Sequence, residues 1–220
     1  MWVKVCGITR PEDARLAADC GASAVGFVFW RPSRRFIQPR TAREIREALP
    51  AGFETVGVFV NQEVSEVAAI SEYVGLKAIQ LHGDEEPARF AAIGPRLIKA
   101  VSPALRAAAP RTGPALDRDE TVGWIPPEVL VLVDAPDPRR RGGTGTLADW
   151  AAAAAIAARR PTVLAGGLTP WNVAEAIAAV RPVGVDVSSG VEAAPGVKDP
   201  DLVRRFVNAA SVSKQEGGRL

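Results

Sequence analysis

The sequence predicts an α/β protein built as a single (β/α)8 TIM barrel, and three observations carry that prediction. Eight short apolar runs rich in Val and Ile recur along the 220 residues, each bounded by Gly, Pro or Asn. Several are apolar at successive positions, as parallel strands covered on both faces are. Helical segments fall between most of them, giving about 27 residues per strand–helix unit, a lean barrel. A doubly wound open sheet would satisfy the strand count equally. No Gly-x-Gly-x-x-Gly follows the first run, which weakens the dinucleotide-binding form of that alternative.

In chain order, strands are expected over 3–6, 24–29, 54–60, 76–81, 96–101, 129–134, 162–165 and 183–187. Thr9-Arg-Pro-Glu12 and Thr41-Ala-Arg-Glu44 have capping-box spacing and predict helix starts. Thr169-Pro170 and Asp199-Pro200 place a capping oxygen before a proline at the first helical position. The helix from Thr169 carries Val173, Ala176, Ile177 and Val180 on one face, and the last helix carries Leu202, Val203, Phe206, Val207 and Ala210. The segment 103–127 starts Ala-rich and turns Pro- and charge-rich, so a short or irregular helix is expected there. The barrel domain is placed at 1–210, with 211–220 as a frayed tail.

Composition excludes several classes. Hydrophobic residues make up 47% and charged residues 24%, which rules out a disordered chain. No apolar run approaches the ~20 residues of a membrane helix. The N-terminal Met-Trp-Val-Lys-Val lacks signal-peptide features, so a soluble cytoplasmic protein is expected. A net charge of +2 without aromatic interleaving argues against a nucleic-acid track. Two cysteines, at 6 and 20, and a single histidine, at 82, make neither a disulfide framework nor a structural zinc site. No metal and no cofactor are expected.

Barrel chemistry sits at the C-terminal ends of the strands. Those positions hold Cys6-Gly7, Arg31 to Arg35, Asn61, Gln80-Leu-His82-Gly83, Lys99, Asp134, Gly142-Gly143-Thr-Gly145, Gly166-Gly167 and Asp186-Val-Ser188-Ser189-Gly190. Strand alternation places Cys6 with Lys4, Gln80 with His82, Asp134 with Leu132, and Asp186 with Ser188. Cys6, His82, Asp134 and Asp186 then point into the mouth in one register, while Val5, Leu81, Val133 and Val187 face the helices. The glycine turns after the seventh and eighth strands offer backbone N–H groups to an anion, at the place where barrels frequently hold phosphate. The basic clusters Arg31/Arg34/Arg35 and Arg139–Arg141 border the same mouth and suit a small anionic substrate.

Cys6 and Asp134 are the candidates for proton transfer. A thiol acts as a base when a positive or polar neighbourhood promotes the thiolate. Partial burial of Asp134 would favour its protonated form, a general acid. Blander readings stand beside these: Cys6 as a small buried hydrophobe, Asp134 as a loop cap, His82 satisfying its neighbours and Cys20 structural.

These residues resemble the phosphoribosylanthranilate isomerase family. The resemblance is carried by Val3-Lys-Val-Cys-Gly-Ile-Thr9, Gly26-Phe-Val-Phe29 with Arg35, Gly57-Val-Phe-Val-Asn61, Gln80-Leu-His-Gly83 and Val133-Asp134 followed by Gly142-Gly-Thr-Gly145. It continues through Ala165-Gly-Gly-Leu168 with Asn172-Val173 and Gly184-Val-Asp-Val-Ser-Ser-Gly190-Val-Glu192 with Lys198-Asp199. It implies a metal-free Amadori rearrangement of a phosphorylated small molecule. Asp134 would protonate the furanose oxygen and Cys6 would take the C2 proton. Arg35 would meet the anthranilate carboxylate, and Gly167, Ser189 and Gly190 with their neighbours would hold the phosphate. Gln80, His82, Gly143, Gly166, Asp186 and Ser188 complete the expected substrate-binding set, and a homodimer is a possible assembly.

Rival readings remain in view. The related histidine-pathway isomerase carries an Asp where Cys6 stands. A metal-dependent sugar-phosphate epimerase needs more histidines than this chain has. A barrel that binds phosphorylated ligands without turnover would have no use for Cys6 and Asp134 together.

Overall fold

Eight parallel strands pair edge to edge in chain order, and the first also pairs with the last, so the sheet closes on itself. The structure is a computed structural model that describes residues 1–102, 122–135 and 148–216. The strands are β1 (Trp2–Cys6), β2 (Ala24–Val28), β3 (Glu54–Phe59), β4 (Ala78–Leu81), β5 (Arg96–Val101), β6 (Leu130–Val133), β7 (Thr162–Leu164) and β8 (Gly184–Val187). Every boundary falls within two residues of the expectation from the sequence. Closure rests on the register of β1 against β8, where Lys4 lies opposite Asp186. The open-sheet alternative is thereby excluded.

The described helices are α1 (Pro11–Asp19), α2 (Pro39–Glu47), α3 (Val64–Val74), α4 (Trp150–Ala157), α5 (Val173–Val180) and α6 (Pro200–Glu216), with a 3-10 helix over Pro87–Ile93 between β4 and β5. Neither expected capping box forms. In α1 the cap position is Arg10, and the Thr9 hydroxyl donates instead to the carbonyl of Gly196. Thr41 lies inside α2, because Pro39 takes the first helical position, where its fixed φ fits and its missing N–H costs nothing. Helix α5 begins at Val173 rather than just after Thr169, and the Asn172 carboxamide oxygen accepts from the Thr169 N–H at 2.7 Å. Asp199 does cap α6, accepting from the N–H groups of Asp201 and Leu202 at 2.9 and 3.0 Å. That helix runs to Glu216, past the expected start of the tail, and the Ser211 hydroxyl bonds back to the Val207 carbonyl within it. A short hairpin, β9 (Glu192–Ala194) with β10 (Val197–Lys198), follows β8 and was not expected. The segment 103–121, most of the irregular unit foreseen between β5 and β6, lies outside the described residues.

Strand alternation divides the core in two. Val5, Val25, Phe27, Ile79, Leu81, Val133, Val185 and Val187 point outward and pack under the helices with Val173, Ala176, Ile177, Val203 and Phe206. Ala24, Val56, Ala78, Ile98, Leu132 and Val163 fill the barrel interior. The N-terminal end is closed by a polar plug. The Trp2 indole N–H donates to Glu54 at 2.9 Å, Arg96 pairs with the same carboxylate, and the Arg96 guanidinium lies 5.5 Å over the Trp2 ring. Toward the opposite end the inward positions turn polar, and the pocket opens there.

Candidate active site

The pocket lies at the C-terminal ends of the strands. Cys6, Arg35, Gln80, His82, Asp134 and Asp186 line it, with Gly166, Gly167, Ser188 and Ser189 along its rim. Val28, Val58 and Trp30 pack beside Cys6 as an apolar wall. The alternation argument is borne out: the residues two apart that were expected inward are inward, and Val5, Leu81, Val133 and Val187 are in the outer core. Cys6 has room because its β2 neighbour is Gly26. A Cβ there would sit 2.8 Å from Cys6 Sγ and 2.9 Å from Lys4 Cε.

Below the pocket a buried polar chain crosses the barrel. Lys4, with no exposed surface, donates to Asp186 Oδ2 at 2.6 Å and to Gln80 Oε1 at 3.0 Å. The Gln80 carboxamide nitrogen meets His82 Nδ1 at 2.7 Å, and His82 Nε2 lies 3.2 Å from Asp134 Oδ2. The other Asp134 oxygen accepts from the Ala135 N–H at 2.7 Å. Burial alone would strip the proton from Lys4, but Asp186 and then Cys6 outweigh it, and the Lys4 pKa is raised. Burial raises Asp186 as well, with Lys4 working against it; the 2.6 Å separation decides for the charged pair. Asp186 Oδ1 and Ser188 Oγ are buried without a hydrogen-bond partner among the described residues. Burial likewise pushes the Cys6 thiol up, with Lys4 and Lys198 pulling it down less strongly. The cationic neighbourhood that a thiolate needs is present, but desolvation outweighs it.

Arg35 is fixed by a second cluster. Its Nε and Nη2 fork the Glu192 carboxylate at 2.8 and 2.6 Å, and the buried Lys198 bonds the same carboxylate at 2.8 Å. Burial would push Glu192 up, but Arg35 and Lys198 outweigh it and hold the carboxyl below its ordinary value. One edge of the guanidinium is thus committed to Glu192, and its Nη1 lies outside that fork.

The rim glycines adopt left-handed backbone, with φ of 81° at Gly166 and 64° at Gly167. Neither N–H donates to any described residue. Gly190 does not line the pocket; it lets the loop after β8 touch the loop after β7, since a Cβ there would sit 1.9 Å from the Leu168 carbonyl oxygen. Ser189 begins a 3-10 turn over Ser189–Val191.

Most of the residues singled out in the sequence converge on this pocket. Gly143 and the Arg139–Arg141 cluster lie outside the described residues. Lys99 and Asn61 serve the loop after β4 instead: Lys99 bonds Glu85 at 3.0 Å and the Gly83 carbonyl at 2.6 Å, and Glu85 accepts the Asn61 N–H. Sequence reasoning missed Trp30 and gave no task to Lys4, Glu192 or Lys198. The inward face of Lys4 followed from its place two positions before Cys6; what was lacking was a partner for its charge.

The profile of N-(5'-phosphoribosyl)anthranilate (PRA) isomerase matches residues 3–209. The chain belongs to this family. The family protein of Pelobacter propionicus is 42% identical over 220 residues, covering 99% of both chains. A solved phosphoribosyl anthranilate isomerase in complex with reduced 1-(o-carboxyphenylamino)-1-deoxyribulose 5-phosphate superposes with a TM-score of 0.80 at 39% identity, covering 96% of this chain and 99% of that one. The structure of monomers generated from the dimeric Thermotoga maritima isomerase matches with a TM-score of 0.80 at 40% identity, again covering 96% and 99%. Among the described residues, no helix is long and apolar enough to cross a membrane.

Proposed function

We infer that this chain converts N-(5-phosphoribosyl)anthranilate to 1-(2-carboxyphenylamino)-1-deoxyribulose 5-phosphate, the Amadori rearrangement of tryptophan biosynthesis. The observation that supports the residue roles best is the convergence of Cys6 and Asp134, from different strands, on one pocket that also holds Arg35 and the Gly166-Gly167 turn.

In this reading the phosphate lies on the rim, against the N–H groups of Gly166 and Gly167 and the turn that begins at Ser189, with Gly190 bringing that turn up to the loop after β7. The anthranilate ring lies along Val28, Val58 and Trp30, with its carboxylate on the Nη1 end of Arg35. Asp134 protonates the furanose oxygen; the C1–O bond breaks as the anthranilate nitrogen lone pair forms the Schiff base. Cys6 then removes the C2 proton, giving the enolamine. Protonation at C1 and loss of the O2 proton give the ketone, so no atom is gained or lost. A thiol that ionises reluctantly is, once ionised, the stronger base toward a C–H proton. Asp186 Oδ1 and Ser188 Oγ, without a partner among the described residues, would bond the substrate's polar groups.

Anthranilate fluorescence tests the reaction. On addition of the protein to freshly prepared substrate it should disappear catalytically, with EDTA making no difference. A tight complex with unchanged fluorescence would overturn the assignment in favour of a binding barrel. A homodimer, as for the Thermotoga relative, and a cytoplasmic location complete the reading; light scattering and cell fractionation test them.

A further inference from the structure

The polar chain beneath the pocket has only one consistent arrangement of protons. Lys4 Nζ lies 2.6 Å from Asp186 Oδ2 and 3.0 Å from the Gln80 carboxamide. An ammonium group has donors and no acceptor, so the Gln80 atom facing it must be the carbonyl oxygen. The carboxamide NH2 is then turned to His82 Nδ1, 2.7 Å away. It too is a donor, so Nδ1 must present its lone pair. A neutral imidazole carries one proton, which is therefore on Nε2, the atom 3.2 Å from Asp134 Oδ2. Turning the amide over would set NH2 against the ammonium. Moving the ring proton to Nδ1 would set two donors against each other at 2.7 Å.

We propose that Lys4 and Gln80 are positioning residues that lock His82 as an Nε2–H donor to Asp134. The inference rests on Asp134 being the acid. As Asp134 gives up its proton, charge grows on its carboxylate. Oδ1 already accepts the Ala135 N–H at 2.7 Å. The locked Nε2–H supplies a second, pre-oriented donor for Oδ2, with no reorganisation needed at the moment of transfer. The mutual hold of Lys4 and Asp186 keeps the ammonium charged inside the barrel and so keeps the first link of the argument in force.

His82 is the only histidine in the chain, so a two-bond 1H–15N spectrum contains one imidazole and reads its tautomer without background. The wild type should show a single tautomer protonated on Nε2. Gln80→Glu replaces the donor facing Nδ1 with a carboxylate that can only accept; Nδ1 should become protonated, and kcat should fall at least about tenfold with KM within about threefold. Gln80→Met removes the amide while leaving the Lys4–Asp186 pair intact, and should give a mixture of tautomers with a smaller fall in kcat. A ring still protonated only on Nε2 in Gln80→Glu would overturn the lock, as would an inverted ring with undiminished kcat. The acid assignment fails separately. If Asp134→Asn kept near-normal turnover, Asp134 would not be the acid, whatever the imidazole spectrum showed. If Asp134 is the acid and the relay acts through it, adding Gln80→Glu to Asp134→Asn should cost no further activity.

Discussion

The two ends of the barrel carry comparable sets of polar groups and use them differently. At the N-terminal end Trp2, Glu54 and Arg96 satisfy one another and plug the opening. At the C-terminal end Asp186 Oδ1 and Ser188 Oγ are buried with no partner among the described residues, and the Gly166-Gly167 N–H groups donate to none of them. Leaving buried polar atoms unmatched carries a cost in stability, of about 1–3 kcal/mol for each group. At the N-terminal end Thr55 Oγ1 is unmatched too, but it sits one position along β3 from the inward Glu54, on the other face of the strand; among the described residues, only at the C-terminal end do such atoms line a cavity. The contrast teaches that polar content does not mark a site; unmet hydrogen-bonding capacity beside a cavity does.

The contrast is broken most directly at the proton-transfer pair. Asp134→Asn and Cys6→Ser should each lower kcat by about 10³-fold or more with little change in KM, while Tm barely moves. A large loss of Tm with kcat preserved would make the mouth a second plug. Next in size is Glu192→Gln. It leaves Arg35 without a carboxylate to fix its fork, and KM should rise about tenfold. The same variant tests linkage. The Glu192 carboxyl is held below its ordinary value, so its contribution to stability is present above the unfolded value and is lost as pH falls through the folded one. Acid unfolding curves should therefore lose that component in Glu192→Gln. An unchanged KM would show that Arg35 needs no such anchor.

At the other end, Glu54→Ala removes the acceptor of both Trp2 and Arg96. It should lower stability by about 1 kcal/mol, since the ion pair is partly exposed, and leave kcat and KM unchanged. Reduced turnover would mean that the two ends are not independent. The smallest effect concerns Cys6 itself. Burial raises its thiol, so the rate of alkylation, followed by peptide mapping, should climb with a midpoint above the ordinary value of 9.0. A midpoint below that value would mean that Lys4 and Lys198 outweigh desolvation.

Much of this was legible beforehand. Period-two alternation alone placed Cys6, His82, Asp134 and Asp186 on the inner face, because a strand end has only two faces and the apolar neighbours of these residues claimed the outer one. Helix starts were less legible. Thr41 has a capping-box partner three residues on, but Pro39 competes for the first turn and wins. The Arg35–Glu192–Lys198 cluster was hidden because it joins residues 157 positions apart through a hairpin whose strands are three and two residues long, too short to leave a pattern. Lys4 was read as a face-mate of Cys6 but given no task, since its partners Gln80 and Asp186 become neighbours only when the ring closes.

That closure sets a condition on how the molecule comes into being. Lys4 is synthesised 182 positions ahead of its counter-ion Asp186. Until the eighth strand is made, the growing chain holds a cation with no partner and an unpaired edge on β1, so the early strands have reason to stay loosely assembled. A nascent fragment ending before Asp186 should therefore be an easy substrate for proteases, and the polypeptide becomes resistant only as its first and eighth strands meet.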